Sequence, residues 1–318
     1  MNDFETIPLV FNVNKPVGIT SFAAVYHFKK NLSFNFGKIG HFGTLDPFAE
    51  GVLIIGIQGA QKLNDYVHEL LPKTYRAKGE FGIKTQSGDK TSAVILNQPI
   101  NSIFQNFSIN EIEEFVKNNF LNEYWQRPHV ISAVKFEGKR LYQHALEGNF
   151  IEKEKSLKKI YSFKVHSFKY PILDFEICVS SGTYVRSFFE DLALLFGGVG
   201  VLETLKRIAT GPMKISESIA IENWPKKNLE FNLLKYGTPI DEFIILNKVL
   251  LNDSDTRKYV QGRRISQLDF KIIQNKNICT EKYFWAYHED GKLLGLAEIR
   301  ENELCAIFNL NASISFFS

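Results

Sequence analysis

The chain has 318 residues, which is too long for one core of ordinary size, so we predict a catalytic domain with a smaller appended domain. Its 44% hydrophobic and 23% charged residues are typical of a globular protein rather than of a disordered or membrane one. The net charge of +3 is only mildly basic, so any surface for nucleic acid must be a local patch.

The N-terminal residues and the cysteines indicate where the protein works. Residues 1–8 lack the basic flank and the long apolar stretch of a signal peptide, and no run approaches the roughly 18 apolar residues that cross a bilayer. We therefore expect a cytoplasmic protein. Cys178, Cys279 and Cys305 are far apart and show no C-x-x-C spacing, so we predict neither a disulfide framework nor a metal site.

Predicted elements begin with a strand over residues 9–13. Lys15-Pro16-Val17-Gly18 ends this strand, and Thr20 or Ser21 is the expected cap of a helix. A glycine-rich turn is expected from residue 37 to 43. Residues 51–57 form a nearly all-apolar run between turn residues, which predicts a buried strand followed by a helix over 59–69.

In the middle of the chain, Ser108 and Glu111 match a capping box, so a helix is predicted over 109–118. Apolar and polar residues alternate over 175–179, as in a half-buried strand. The chain then turns at 180–182 into a helix that should end at Gly197-Gly198 and carry an apolar side, made of Tyr184, Phe188, Leu192 and Leu195. Strands and helices do not alternate regularly, which favours an α+β fold over a doubly wound one.

Periodicity weakens around residues 211–245, where Gly-Pro, Trp-Pro and Gly-Thr-Pro punctuate the chain. We therefore predict a catalytic domain over 1–240 and a second domain over 245–318. Turn signals between short apolar runs indicate that the second domain is small and rich in strands.

The densest cluster of unusual residues lies between Gly40 and Gly51. Glycines let the backbone approach a ligand closely, and Pro47 holds the residue before it in an extended conformation. Asp46 should therefore sit on a rigid loop. In isolation, a Leu-Asp-Pro sequence is more typical of a structural turn whose aspartate bonds its own backbone.

The whole stretch resembles the catalytic motif of the bacterial TruB family of tRNA pseudouridine synthases, Gly-His-x-Gly-x-Leu-Asp-Pro-x-Ala-x-Gly, at every fixed position. Further similarities follow in the family's order over residues 9–213. They are Lys15-Pro16-x-Gly18-x-Thr20-Ser21, Ala60-x-Lys62, Lys73-x-Tyr75-Arg76, Gln126-x-Pro128 with Ser132-Ala133-x-Lys135, Gly138 to Tyr142, Gly182-Thr-Tyr-Val-Arg186 and Leu205-Lys-Arg207.

The resemblance implies a mixed, mainly antiparallel sheet flanked by helices, an RNA-gripping insertion at about residues 120–150, and a β-rich C-terminal domain similar to PUA modules. It also implies isomerisation of the T-loop uridine, position 55 of tRNA, by a flipped-base mechanism. Asp46 would be the nucleophile, attacking either C6 of the base or C1′ of the sugar; the sequence leaves both routes open. By the same resemblance, Arg186 would orient Asp46, and Tyr75 would stack on the base and serve as a candidate to remove the C5 proton.

Five residues are expected to bind the RNA. By resemblance, Leu205 would close the other wall of the pocket and Tyr184 would help place the base or Asp46, although plain core packing is the alternative for each. His41 would fill the space that the base leaves, unless it is a structural histidine of the turn. Lys15 and Lys62 belong to a group of basic residues that could form a phosphate track, with Lys29, Lys30, Lys38, Lys73 and Arg76.

Three positions depart from the family pattern. His129 stands where a second proline is usual, Ile131 where an aromatic residue is usual, and Gln86 lies in an altered Thr-Asp-Thr segment that ends at Asp89. These changes bear on RNA grip more than on chemistry.

Two other functions compete with the synthase. One is an RNA-folding chaperone that has kept the fold without the chemistry, which the presence of Asp46, Tyr75 and Arg186 disfavours. The other is an Asp-dependent glycosidase, but such enzymes usually need a second carboxyl group, and Glu50 occupies a variable position of the motif. We expect no cofactor, no metal, the T-arm of tRNA as the partner, no obligatory protein partner, and a monomer.

Overall fold

A computed structural model describes residues 8–32, 36–121, 123–129, 135–149, 151, 153–227, 229–266 and 269–310. Within these ranges, the strands of the first part of the chain are β1 (Leu9–Lys15), β2 (Gly40–His41), β3 (Glu50–Gly56), β4 (Lys73–Phe81), β5 (Ile83–Thr85), β6 (Val94–Asn97), β7 (Tyr124–Gln126), β8 (Lys135–Phe136), β9 (Lys139–Arg140), β10 (Ser156–Lys158), β11 (Ile160–Lys169), β12 (Ile172–Val179), β13 (Gly200–Thr210), β14 (Met213–Lys214) and β15 (Gly237–Pro239).

The helices of this part flank the main sheet or lie in its connections. They are α1 (Ser21–Asn31), α2 (Asn64–Leu70), α3 (Ser102–Gln105), α4 (Ile109–Phe120), α5 (Leu141–Leu146), α6 (Val185–Leu195), α7 (Leu233–Tyr236) and α8 (Ile240–Phe243). None of the described helices is long and apolar enough to cross a membrane.

The main sheet is mixed and mostly antiparallel. Its strands follow the order β11-β12-β4-β13-β3-β1-β15, with β14 on β13 and β2 on β3. The β13–β3 pair is parallel, and it places Arg207 beside Gly51. The other side of β13 pairs with β4, where Tyr75 lies opposite Arg207. The motifs that contain Gly51, Tyr75 and Arg207 therefore meet at one place in the sheet. The predicted α+β fold is confirmed.

The second part of the chain forms a six-stranded sheet. Its elements are β16 (Asn247–Leu251), α9 (Asp253–Val260), β17 (Ile265–Ser266), β18 (Lys271–Ile273), β19 (Tyr283–His288), β20 (Leu293–Arg300) and β21 (Glu303–Asn309), with strand order β17-β21-β20-β19-β16-β18. A shared apolar core, which includes Phe42, Leu63, Phe243 and Trp285, packs this sheet against the first part of the chain. The β-rich character expected of this region is confirmed.

Local sequence signals account for the main helices. Thr20 caps α1 by accepting a hydrogen bond from the Ala23 amide at 3.0 Å, and Ser108 and Glu111 form the predicted capping box of α4. The helix expected over 59–69 begins instead with a 3-10 turn, Ala60–Leu63, which leads into α2. In α6, Tyr184 is the residue that precedes the helix, and Leu195 is 48% exposed, so it lies outside the predicted buried side.

Candidate active site

Two anchors hold the loop that carries Asp46, one at the start of α1 and one in the turn before it. The Leu45 amide donates to Ser21 Oγ at 2.8 Å, and the Ser21 hydroxyl donates to the Leu45 carbonyl at 3.1 Å. On the other side of Asp46, the Gly18 amide donates to the Pro47 carbonyl at 2.8 Å. The stretch from Gly18 to Ser21 therefore holds the two residues next to Asp46, and the aspartate itself is left to face the site.

Arg186, in the first turn of α6, binds this aspartate. Its Nη2 lies 2.9 Å from Asp46 Oδ2, while Nη1 donates to the Ser87 carbonyl at 2.6 Å and lies 3.8 Å from Asp89 Oδ2. The arginine side chain is 3% exposed and that of Asp46 is 33% exposed. A buried guanidinium held at several points can fix the orientation of a carboxylate that remains accessible.

Asp89 is a functional candidate that the sequence analysis mentioned only as the end of an altered segment. Its carboxylate accepts hydrogen bonds from Ser87 Oγ at 2.9 Å, from the Thr91 amide at 3.0 Å and from the Thr91 hydroxyl. The segment with Gln86 in place of the family's aspartate thus still presents a buried carboxylate to Arg186. Asp89 is the one acidic residue of the segment 85–89, and this was the sequence signal that could have identified it.

Asp46 and Arg186 open onto a cavity of about 180 Å³. Tyr75, Tyr184 and Leu205 also line it, so five of the eight predicted site residues come together there. The remaining lining residues are Gly43, Thr44, Leu45, His68, Lys73, Gly182, Thr183, Val185 and Arg207. The cavity combines one carboxylate with several cationic and aromatic side chains.

The other three predicted residues lie elsewhere. Lys15 is fully buried, and its ammonium donates to the carbonyls of Pro16 and Ile19, both at 2.8 Å. Burial, only partly offset by Asp46, lowers its pKa to about 8. The expectation that Lys15 contacts phosphate is therefore corrected: its ammonium ties together the turn that leads into α1. His41 is half-buried on β2 opposite Ile55, and Lys62 is exposed, with Nζ 3.5 Å from the Asn309 carbonyl.

The expected phosphate track is only partly exposed. Lys29, Lys30 and Lys38 face solvent, as Lys62 does. Lys73 is buried in the cavity wall, and Arg76 pairs with Asp174 across the sheet at 2.6 and 3.0 Å. Four of the seven basic residues are exposed, so a phosphate track made by about half of the group stays a prediction.

Arg207 lines the cavity and bonds to the backbone around it, a role that the sequence analysis did not assign. Its Nε donates to the Val52 carbonyl at 2.6 Å, Nη2 donates to the Gly43 carbonyl at 3.0 Å, and Nη1 lies 3.5 Å from the Tyr75 hydroxyl. Gly51 lets the backbone of β13 pass close to β3, because its φ is +108° and a Cβ there would lie 2.2 Å from the Arg207 carbonyl oxygen. The available sequence signal was its place in the Leu205-Lys-Arg207 motif.

Three further polar residues occupy the wall beside Tyr75. Lys73 Nζ donates to Ser181 Oγ at 2.6 Å and lies 3.5 Å from His68 Nδ1, and the Ser181 hydroxyl is also hydrogen-bonded to His68 Nδ1. Burial and then the nearby Arg207 lower the pKa of Lys73 to about 7. Burial and then Lys73 lower the pKa of His68 to about 4, so the imidazole is neutral at neutral pH.

The start of the predicted RNA-gripping segment contacts the site through the backbone of Tyr184. Gln126 accepts from the Tyr184 amide at 2.7 Å and donates to the Tyr184 carbonyl at 2.8 Å. His129 is buried, with Nδ1 3.5 Å from Arg186 Nη1. Ile131, Ser132 and Ala133 lie outside the described residues.

Comparison with known proteins agrees with this geometry. Residues 29–185 match the model of the N-terminal domain of TruB family pseudouridylate synthases. A tRNA pseudouridine synthase B from Clostridium kluyveri is 34% identical over 288 residues, which cover 90% of this chain and 94% of that protein. One from Ureaplasma urealyticum is 38% identical over 212 residues, covering 66% and 89% respectively.

Among solved structures, a chain of a Cbf5-Nop10-Gar1 complex has a TM-score of 0.66 and 22% identity, covering 92% of this chain and 78% of that one. A chain of an archaeal box H/ACA Nop10-Cbf5 complex has a TM-score of 0.65 and 18% identity, covering 96% and 86%. These two likenesses concern the fold. The loop motif and the arginine-bound aspartate fit these matches, one of which extends over nine-tenths of the chain. The chain therefore belongs to the TruB family of pseudouridylate synthases.

Proposed function

We propose that this protein isomerises the uridine at position 55, in the T-loop of tRNA, to pseudouridine, with Asp46 as the nucleophile and no cofactor. The tRNA pseudouridine synthases to which it is similar support this reaction. The observation that carries the site assignment is the Asp46 carboxylate, 2.9 Å from the buried Arg186 guanidinium at a cavity lined by Tyr75, Tyr184 and Leu205.

The size of the cavity suits a single flipped base. Pockets for drug-sized ligands hold about 300–1,000 Å³, whereas this one is smaller, at about 180 Å³. A base stacked inside the T-loop must leave its stack to reach Asp46, at a cost of a few kcal/mol. We propose that Tyr75 stacks on the extruded uracil, and that Leu205 and Tyr184 close the remaining sides. Tyr75 is also our candidate for removing the C5 proton.

Asp46 can start the reaction in two ways. If a carboxylate oxygen attacks C1′, an ester forms and the C1′–N1 electron pair leaves with the uracil as an anion. If the oxygen attacks C6, a bond to C6 forms and the C5–C6 electron pair moves onto the C4 carbonyl. On the C1′ route, the uracil anion turns and C5 attacks C1′, which displaces the Asp46 carboxylate. On the C6 route, the C1′–N1 bond breaks with its electron pair on N1, the Asp46-bound base turns, and the electron pair on O4 returns as C5 bonds to C1′; the Asp46–C6 bond breaks when the C5–C6 double bond reforms. On both routes C5 loses its proton and N1 gains one. Arg186 would hold the carboxylate in the orientation that either attack requires.

The remaining assignments concern the rest of the tRNA. We propose that His41 occupies the space left by the base and that the exposed Lys62 contacts the phosphates of the T-arm. We further propose a catalytic domain over 1–240 and a PUA-like RNA-binding domain over 245–318, which the start of the second sheet at Asn247 supports. The protein would act in the cytoplasm as a monomer, without an obligatory protein partner.

A defined transcript tests the proposal. The purified protein is incubated with unmodified tRNA transcript, without added metal or nucleotide, and pseudouridine is mapped along the strand. We expect one pseudouridine, at the T-loop uridine, and none in a matched transcript with cytidine at that position. Modification at another position would overturn the substrate assignment, and an unmodified transcript would overturn the function.

Ser21 offers a test of the rigid loop. Ser21→Ala leaves the buried Leu45 amide without its acceptor, so the free energy of unfolding should fall by about 1–2 kcal/mol. Because Asp46 is then less well held, kcat should fall by about 10-fold while KM stays within a few-fold. Urea unfolding measures the loss of stability, and steady-state kinetics measure kcat and KM. The control is Ser102→Ala, at an exposed serine on α3. An unchanged kcat in a destabilised variant would show that the anchor serves stability alone.

A further inference from the structure

Lys73, Ser181 and His68 form a hydrogen-bonded group, the Lys73 cluster, in the wall of the active-site cavity. The three residues come from β4, from the turn before α6 and from α2, and the bond from Lys73 Nζ to Ser181 Oγ is 2.6 Å long. The ammonium lies close to the catalytic loop, because a Cβ placed on Gly43 would be 2.9 Å from Lys73 Nζ. The reaction described above gives this cluster no task.

Among the described residues, no carboxylate is bonded to the Lys73 cluster. Lys73 is 4% exposed, and in the described part of the chain its bonding partners are Ser181 and His68, neither of which is a carboxylate. Arg207, the second cation of this wall, bonds two main-chain carbonyls and approaches the Tyr75 hydroxyl. A buried cation without a counter-charge is costly, so a ligand that brings negative charge to this wall would be stabilised there.

The reaction generates such a charge on the base. After attack at C1′, the departing uracil carries the C1′–N1 electron pair, which spreads onto O2 and O4. After attack at C6, the displaced electron pair resides on O4. A carbonyl oxygen of the base therefore becomes negative on either route, and a donor already in place for that oxygen lowers the barrier.

We propose that Lys73 donates a hydrogen bond to a carbonyl oxygen of the flipped uracil and stabilises the negative charge that develops on the base, while Ser181 and His68 orient its ammonium group. This inference rests on the proposed function. Lys73 keeps its proton throughout, so no further acid or base is needed. Its three N–H bonds can reach Ser181 and His68 and still leave one donor for the substrate.

The main test replaces Lys73 by methionine, which has a similar length and no charge. Steady-state kinetics on the unmodified transcript should show kcat reduced by about 100-fold, as for the loss of one donor to a developing oxyanion. KM should stay within a few-fold. Lys164→Met, an exposed lysine on β11, is the matched control and should leave kcat unchanged. Equal activity of Lys73→Met and the parent protein would overturn the inference.

The pH profile separates catalysis from structure. His68 on α2, Arg207 on β13, Tyr75 on β4 and Asp46 on the loop all face this region, and His68 stays neutral because its pKa is about 4. With a Lys73 pKa of about 7, the protonated fraction falls as the pH rises through neutrality, so kcat/KM of the parent protein should fall above about pH 7. The methionine variant should lack this fall. A fall of the same size in both proteins would contradict the proposal.

Thio-substituted substrates identify the contact. Sulfur is a weak hydrogen-bond acceptor, so 2-thiouridine or 4-thiouridine at the target should slow the parent protein when the replaced oxygen is the one bound by Lys73. The same thio substitution should not slow Lys73→Met any further, and it should slow Ser181→Ala less than the parent protein. The Ser181→Ala variant keeps the test valid if Lys73→Met does not fold. Equal slowing in every variant would overturn the inference. A parent protein that leaves the all-oxygen transcript unmodified would instead overturn the proposed function.

Discussion

Replacement of Asp46 by asparagine should reduce pseudouridine formation by at least about 10,000-fold, equivalent to about 5.4 kcal/mol of transition-state stabilisation. The carboxamide has nearly the same shape as the carboxylate, so the cavity and its walls should persist. It lacks the negative charge, however, and its oxygen is too weak a nucleophile to attack C1′ or C6. Binding of tRNA should therefore stay within a few-fold of the parent value.

Two measurements check this result: product formation by release of the C5 proton from labelled tRNA, and tRNA binding in the same buffer. The matched control is Glu50→Gln, at the start of β3, because Glu50 pairs with Lys206 at 3.2 Å and does not line the cavity. Its activity should stay within a few-fold. Loss of activity in both variants would favour a mechanism with two carboxyl groups, and an active Asp46→Asn protein would refute the nucleophile.

Local sequence was sufficient where the relevant contacts are local. The capping box at Ser108 and the cap at Thr20 each join residues three apart, so their patterns predicted the helix starts directly. The alternation in β12 follows from burial of one face of the sheet, and Phe175, Ile177 and Val179 are buried as predicted, together with Leu173. The role of Asp46 was predicted from the resemblance of its whole motif to that of the TruB family, and it stays a prediction.

The Lys15 contact is also local, yet the sequence analysis misjudged it. A lysine in a turn is usually exposed, and its side chain is long enough to reach phosphate. Here the turn brings the carbonyls of Pro16 and Ile19 to one point, and the ammonium satisfies both. The conformation of that turn depends on the anchoring of Ser21 to Leu45, which no local pattern reveals.

Contacts between distant segments explain the other omissions. Lys73 and Ser181 are 108 residues apart, and Arg186 and Ser87 are 99 residues apart. Asp89 meets Arg186 only because α6 packs beside the segment after β5. Residue types and spacing carry no information on such meetings, so the Lys73 cluster and the second aspartate required coordinates.

Substitution of Arg186 should have the second-largest effect. In Arg186→Lys, the charge remains, but one ammonium group cannot hold Asp46 at 2.9 Å and also donate to the Ser87 carbonyl as the guanidinium does. Asp46 loses its fixed orientation, and kcat should fall by about 100- to 1,000-fold. KM for tRNA should change little, because the arginine is buried beneath the aspartate.

Arg186→Met removes the charge and should also destabilise the fold. Asp89 has a side chain that is 5% exposed, and without the arginine this buried carboxylate loses the cation that the described contacts give it. The free energy of unfolding should fall by about 3–5 kcal/mol, as when one partner of a buried pair is removed. Urea unfolding measures this loss, and Arg264→Met is the control, because the Arg264–Glu303 pair lies at the protein surface and should contribute about 1 kcal/mol or less. An Arg186→Met protein that folds as stably as the parent, with kcat within 10-fold, would exclude the arginine as the group that orients Asp46 for attack.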